Sequence, residues 1–250
     1  TITEDSTRVT TVGEDFLVWK FEEFGDHVVR VQAQDDDGVL SEVVSGIVTI
    51  APRTIGTNLN ESGSAIAEFG NGDFACIGTR DFGGLILRTD KNGQLIWERQ
   101  YDGTQMDFTD VYAGDDGNTV VIGSGEGSKL LFIVVDQNGK ELVARDLGTS
   151  GFARSGNMVH LQNGDFLISG YSWTSSDTTY ATVVRVSPNG DVVWQKNYRR
   201  GAQTYGHAIS LTQDNHALLV GTKDVQVYGG VASVCFAMKI NLQGDSIWSR

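Results

Sequence analysis

The chain has 250 residues, 40% hydrophobic and 20% charged, a balance that can bury a core and is unlike that of a disordered tail. Its net charge of −13, from 19 basic and 32 acidic side chains, speaks against nucleic acid and anionic lipid headgroups as partners, since both are held by clustered Lys and Arg. With 31 glycines, two prolines and no apolar run near the ~20 residues of a membrane helix, it reads as an all-β chain of short strands and tight turns without a spanning helix.

The first ten residues, TITEDSTRVT, lack the basic start, apolar stretch and small-residue cleavage site of a secretory signal, so the chain reads as cytosolic or as a mature piece of a secreted protein. Residues 1–52 form a first domain without internal repeats. Val29, Val31 and Ala33 alternate with Arg30, Gln32 and Gln34, the period of a half-buried strand. Asp36-Asp37-Gly38 supplies a turn, and Ser45–Ile50 a second strand. Asp35, Asp36 and Asp37 offer the oxygen ligands that Ca²⁺ uses, but EF-hand spacing is missing and a solvated acidic turn is the better reading. The run from Trp19 to Gly38, W-x-F-x-x-x-G-x-H-x-V-x-V-x-A-x-D-x-x-G, resembles the later strands of a PKD-type immunoglobulin-like domain. That family has Tyr where His27 stands and a longer segment in front. The resemblance implies a partial extracellular β-sandwich used as a spacer or adhesion unit, without catalytic residues.

From residue 53 onward two motifs alternate. One is a turn, a strand and a glycine: NGDFACIG (71–78), DGNTVVIG (116–123), NGDFLISG (163–170) and DNHALLVG (214–221). It ends at Gly78, Gly123, Gly170 and Gly221, each six residues after a turn Gly or, in the last copy, Asn215. The other is a turn and a strand with a large apolar residue: DKNGQLIW (90–97), DQNGKELV (136–143), SPNGDVVW (187–194) and NLQGDSIW (241–248). Each motif is a hairpin signal, so each repeat holds four strands. In the first repeat these fall near Ala65–Phe69, Asp73–Gly78, Leu85–Thr89 and Gln94–Gln100. Four strands in ~45–50 residues make a β-propeller blade. The blades fall at about 60–104, 105–150, 151–201 and 202–250. The last strand stops short of the point where earlier ones reach Tyr101 and Tyr198, so the four repeats read as part of a larger propeller. Trp97, Trp194 and Trp248, with Val143 standing in once, occupy one blade position and should fill the gap between neighbouring blades.

Turn-to-turn distances locate a variable end. Between the two motifs of a repeat they grow as 21, 22, 26 and 29 residues, whereas from one repeat to the next they stay at 24, 25 and 25. The growth lies in the link between second and third strands, which shares an end of the blade with the blade-to-blade links. Constant tight turns read as scaffold and variable loops as function. The long loops 171–182 and 222–233 carry Tyr171, Trp173, Tyr180 and Tyr228, and the link at 198–207 adds Arg199, Arg200, Tyr205 and His207. Aromatic residues beside Arg are the composition of binding hot spots, and the competing reading is that the rings anchor the loops to their own blades.

Catalytic signatures are missing from the sequence. There is no nucleophile elbow, no Cys-x-x-Cys and no metal-type His spacing, and the glycine-rich 123–127 has no P-loop lysine after it. His160 and His207 sit near first-strand positions about one blade apart, where they could line a channel. Cys76 and Cys235 lie in apolar runs and read as two buried free thiols.

The repeats, as in NGDFACIG with DKNGQLIWERQY and NGDFLISG with SPNGDVVWQKNY, resemble those of secreted and surface lipoproteins of Bacteroidetes-like bacteria, departing at Val143, Leu147 and His216. The resemblance speaks for the fold and little for activity; the domain pairing, the missing catalytic constellation and the aromatic long loops point to a non-catalytic extracellular or outer-membrane-surface module without a cofactor, with any lipid anchor outside this chain. Its loops would present a protein-binding face, as in an accessory lipoprotein of a transport or secretion complex. The alternatives are a carbohydrate-binding surface protein, and a polysaccharide hydrolase or lyase using carboxylates in the channel.

Overall fold

The computed structural model describes residues 2–4, 7–9, 25–32, 37–50, 56–57, 59–102, 106–127, 129–147, 152–173, 178–201 and 203–250. Among them there is no helix, and so none long and apolar enough to cross a membrane. The chain divides into two units, Thr1–Thr54 and Ile55–Arg250.

In the first unit, strands β1 (Ile2–Glu4), β2 (Thr7–Val9), β3 (Gly25–Val31) and β4 (Val44–Ile50) form one antiparallel sheet in the order β2-β1-β3-β4. The strand expected at Ser45–Ile50 is β4, and Gly38 of the acidic turn has a positive φ of 81°. Trp19, Ala33, Gln34, Asp35 and Asp36, which carry part of the immunoglobulin-like motif and of the acidic turn, lie outside the described residues. Asp37 is exposed.

The second unit is four antiparallel sheets of four strands, each in chain order. The first holds β5 (Glu61–Glu68), β6 (Phe74–Arg80), β7 (Gly83–Thr89) and β8 (Leu95–Tyr101); the second β9 (Asp107–Ala113), β10 (Thr119–Gly125), β11 (Lys129–Val135) and β12 (Glu141–Asp146). The third holds β13 (Phe152–His160), β14 (Phe166–Trp173), β15 (Thr179–Val186) and β16 (Val192–Tyr198); the fourth β17 (Thr204–Leu211), β18 (Ala217–Val227), β19 (Gly230–Ile240) and β20 (Ser246–Ser249). This is the expected blade architecture. At all eight tight turns the same pair of backbone bonds recurs, as from Gly72 N–H to Phe69 O and from Phe69 N–H to Asp73 O, both 2.8 Å. The residue two positions before the following strand turns left-handed each time. Where the glycine is replaced, Asn215 takes φ 57°, which Asn tolerates better than most residues.

Blades pack face to face in sequence. Ala75, Ile77 and Ile86 of the first meet Val111, Val121 and Ile133 of the second. Ile122, Phe132 and Val134 of the second meet Met158, Phe166 and Ile168 of the third. Leu167, Ala181 and Val183 of the third meet Ile209, Leu219 and Met238 of the fourth. Three such cores join four blades, and among the described residues none joins the fourth blade to the first.

The repeated residues earn their places here. A Cβ on Gly78 would lie 1.8 Å from Ser62 O, and one on Gly221 1.8 Å from Tyr205 O, because the innermost strand bulges against these positions. Trp97 lies over Gly139 of the next blade and donates Nε1–H to Gln137 O (2.9 Å); Trp194 lies over Gly244 and donates to Leu242 O (3.2 Å). Val143 does this with Arg145 and Phe132, all three crowding Gly190. Trp248 stands at the same position 41% exposed.

The thiols correct the sequence reading. Cys76 is half-buried and Cys235 exposed, both free. Cys76 is on the first blade's face that points away from the second, and Cys235 on the fourth blade's face that points away from the third. Cysteine burial here depends on a neighbouring blade, which the local apolar run does not report.

Candidate functional site

The links between second and third strands gather at one end of the blades. The expected long loop 222–233 is instead a strand extension: β18 and β19 stay paired from Ala217↔Ile240 to Val227↔Gly230, and only Tyr228-Gly229 turns. The added residues lengthen a hairpin, and Tyr228 projects from its tip, fully exposed. In the third blade the ladder runs out to Trp173↔Thr179, with Trp173 51% exposed at its end; residues 174–177 of that loop lie outside the described set.

The first blade adds an aromatic tip that the sequence reading passed over. The β6–β7 turn is Asp81-Phe82, with φ of 46° and 69°, and Phe82 is 73% exposed. A bulky residue in the left-handed region is uncommon and costs of order 1 kcal/mol or more. The turn is held from both sides: Asp81 N–H donates to Asn60 O (2.9 Å), Asn60 N–H to Asp81 Oδ1 (3.2 Å) and Met106 N–H to Phe82 O (3.1 Å). Phe82 and Met106 border a shallow hollow of about 360 Å³ whose remaining rim is polar, including Ser62, Thr79 and Asp107. The sequence signal was Arg-Asp-Phe-Gly-Gly, in which the glycines follow the turn instead of forming it.

The other aromatic candidates divide. Tyr171 and Tyr205 meet edge to face across the third and fourth blades, centroids 5.1 Å apart and planes at 78°, and are half-buried. They close a junction. Tyr180 is half-buried and pairs across the ladder with Ser172, so it points to the sheet face opposite Tyr171. Arg200, in the link between the third and fourth blades, folds onto the fourth: Nη2 donates to Ser246 Oγ (3.3 Å), Nη1 to Arg199 O (3.0 Å), and its backbone N–H to Thr204 Oγ1 (3.0 Å). Arg199 is exposed, with Nε bonded to Gly201 O (3.2 Å). The structure thus gathers Tyr171 with Tyr205, ties Arg200 down, and leaves Trp173, Tyr228 and Arg199 toward solvent.

The histidines and inner carboxylates have structural partners. His160 stacks against Tyr112 (4.6 Å) and Phe166 (4.9 Å) at the junction of the second and third blades. His207 is exposed, its Nε2 3.2 Å from Thr222 Oγ1. Asp110, on the innermost strand, accepts from Met158 N–H of the next blade (2.8 Å) and from Val111 N–H (2.9 Å). Burial raises its pKa, and the two backbone bonds oppose that rise. Asn157 makes the corresponding link to both N–H (2.7 Å) and O (3.0 Å) of Ile209. These groups stitch inner strands together. Among the described residues no three His, Cys, Asp or Glu side chains converge as a metal site.

The fold and its exposed end define an all-β blade-repeat protein of the propeller type that displays separate aromatic tips. No protein-family model matches the chain, and no curated protein does. Among solved structures it is similar to a protein of unknown function from Dyadobacter fermentans, at 13% identity and a TM-score of 0.47, over 88% of this chain and 76% of that one. A protein from Lactobacillus plantarum gives 13% and 0.47, over 89% of this chain and 67% of that one. A GH43 glycoside hydrolase with endo-xylanase and exo-arabinofuranosidase activity gives 12% and 0.47; this chain covers 89% of itself but only 49% of that enzyme. Likeness at this level says nothing of activity.

Proposed function

We propose that the chain is a non-catalytic module of the cell surface whose β-hairpin tips engage a protein partner. The PKD-like first unit serves as a spacer, and the blades belong to an accessory lipoprotein of an outer-membrane transport or secretion complex. The observation that carries the reading is the trio of solvent-facing rings at second-to-third-strand tips: Phe82 on a strained turn, Trp173, and Tyr228 on an extended hairpin. Water-exposed rings on rigid paired strands offer contact area at little conformational cost, as interface anchors do. The inner Asp110 and Asn157, by contrast, are occupied in joining blades.

The test is cosedimentation of the purified chain with Bacteroidetes outer-membrane vesicles, before and after protease treatment. Protease-sensitive binding that falls at least tenfold in the triple variant Phe82→Ser, Trp173→Ser, Tyr228→Ser is expected. Binding that survives protease and is displaced by glycans replaces this reading with the carbohydrate-binding one. Binding unaffected by the three substitutions overturns the assigned surface.

A further inference from the structure

Four positions of the repeat fill the space between one blade and the next at the tight-turn end. In the first blade they are Phe69, Asp73, Arg88 and Trp97, and in the third Leu161, Asp165, Arg185 and Trp194. Each arginine is anchored by the aspartate of its own blade, Arg88 Nη2 on Asp73 (2.9 Å) and Arg185 Nε on Asp165 (2.7 Å). Arg88 also lies over the Phe69 ring, 4.0 Å from its centroid. From there arginine and tryptophan donate to carbonyls in the turns of the next blade. Arg88 reaches Gly117 O (3.0 Å) and Trp97 reaches Gln137 O (2.9 Å), while Arg185 and Trp194 share Leu242 O (3.0 and 3.2 Å).

The second blade is small or neutral at all four positions: Gly114, Asn118, Val134 and Val143, with Val134 paired to Val143 as Arg88 is to Trp97. Phe132 and Arg145 refill the space over Gly190. The remainder stays open as a hollow of about 330 Å³ between the second and third blades. Gly114, Asn118 and Val134 line it, so it is the volume that those small residues leave. Gly164 and Pro188 of the third blade line it from the other side, and a Cβ on Gly164 would stand 3.3 Å from Pro188 Cγ. By repeat position Gly164 corresponds to Gly117, and Pro188 to Gln137 and Leu242, the acceptors at the other two junctions. Among the described residues no protein donor reaches the carbonyl of either.

The chemistry of the hollow is one-sided. Tyr112, His160 and Phe166 give it aromatic walls, Asp115 and Asp116 an acidic rim, and among the described residues neither Lys nor Arg lines it. Burial pushes the Tyr112 phenol up, and the charges of Asp115 and Asp116 push it further, so their negative field reaches the ring.

We propose that this hollow binds an organic cation, a guanidinium carried on an apolar ring or stem, in the place that arginine and tryptophan fill at the neighbouring junctions. The apolar part lies against the rings, and the cation faces ring and carboxylates together. A guanidinium suits the site better than an ammonium, because its planar fork of donors can serve two turn carbonyls at once. The hollow lies at the tight-turn end, away from the hairpin tips, so the inference does not depend on what those tips bind.

Calorimetric titration of the full chain at pH 8 with phenylguanidinium is expected to show one site, about tenfold tighter than for its uncharged analogue phenylurea. Asp115→Asn with Asp116→Asn alters only the rim, keeps the oxygen acceptors of the turn, and should weaken phenylguanidinium about tenfold. Asn118→Asp with Val134→Arg rebuilds the ion pair of the other blades inside the hollow and should abolish binding with unchanged circular dichroism. If the rebuilt variant does not fold, the rim variant still decides. N-acetylagmatine and the blocked peptide acetyl-Gly-Arg-Gly-amide separate the sources of the cation: preference for the first assigns a free small molecule, preference for the second an arginine side chain of a bound chain, and either supports a guanidinium site. Phenylguanidinium that fails to bind, or binds no better than phenylurea, overturns the proposal. Binding that the rim variant leaves unchanged places the ligand elsewhere and overturns it as well.

Discussion

The junction between the first and second blades and that between the second and third occupy the same place in the repeat but are filled differently. The first adds charge and a tryptophan to an edge-to-face pair of Tyr101 and Phe108 (5.7 Å): Trp97 covers Gly139, Arg88 reaches Gly117 O (3.0 Å), and Arg99 reaches Glu141 (3.3 Å). The second has Val143 where Trp97 would be and compensates with rings, Phe132 against Phe166 (5.7 Å) and Tyr112 against both Phe166 (5.5 Å) and His160. Phe132 also stands 3.3 Å from where a Cβ of Gly190 would be, supplying bulk over the turn that the missing tryptophan does not. The repeat fixes backbone, turn and spacing; the space between blades needs the right volume more than a particular residue.

That comparison breaks most sharply at Phe132. It is fully buried, and no neighbouring tryptophan can move into its space. Phe132→Ala should cost about 3–5 kcal/mol, the range for emptying a buried aromatic site. Urea unfolding monitored by fluorescence would show it, and a loss under about 1 kcal/mol would mean that the second junction does not rest on its rings. The tryptophans come next. Trp97→Ala should cost about 2–3 kcal/mol, because the ring is only partly buried and one indole hydrogen bond is lost. Trp248→Ala should stay within about 0.5 kcal/mol, as for surface changes. Equal losses at both positions would contradict the assignment of Trp248 to an open face.

Most of this scaffold was legible in the amino-acid order. Turn spacing and the glycine-tryptophan pattern identify four repeats of four strands, and Asn215 could be aligned with the turn glycines before its positive φ was seen, because few other side chains accept that conformation. Burial was less legible. FACIG and SVCFAMKI are apolar enough to suggest buried thiols, yet each cysteine's exposure is decided by a blade that is or is not beside it, a contact far away in sequence. The display surface was partly legible. Turn-to-turn distances placed the insertions at the correct end, but a longer loop and a longer hairpin have the same length, so the strand extension around Tyr228 was hidden. Phe82 was hidden for another reason: a left-handed turn without glycine breaks the local rule, and such breaks are expected at functional sites.

The smallest expected effect tests the charged side of the comparison. Arg80 is buried on β6 and joins three strands of the first blade, with Nε donating to Glu61 on β5 and the two Nη groups to Glu98 on β8 (2.8 and 2.9 Å). The Arg80 hydrogen bonds hold both carboxyls below their ordinary value of 4.5, against a smaller opposing effect of burial. A lowered folded-state pKa means that the unfolded chain binds protons first. The stabilisation is therefore complete above the ordinary carboxylate range and is lost as pH falls through the folded values. Both carboxyls reach solvent, so screening keeps the effect modest. Between about pH 5 and pH 3 the wild type should lose melting temperature more steeply than Arg80→Met. In that variant Glu61 and Glu98 face each other without a cation, and protonation relieves their repulsion instead of breaking a bridge. Parallel slopes would show that the first blade holds its strands by packing, as the second junction does, and that its ion pairs contribute nothing measurable.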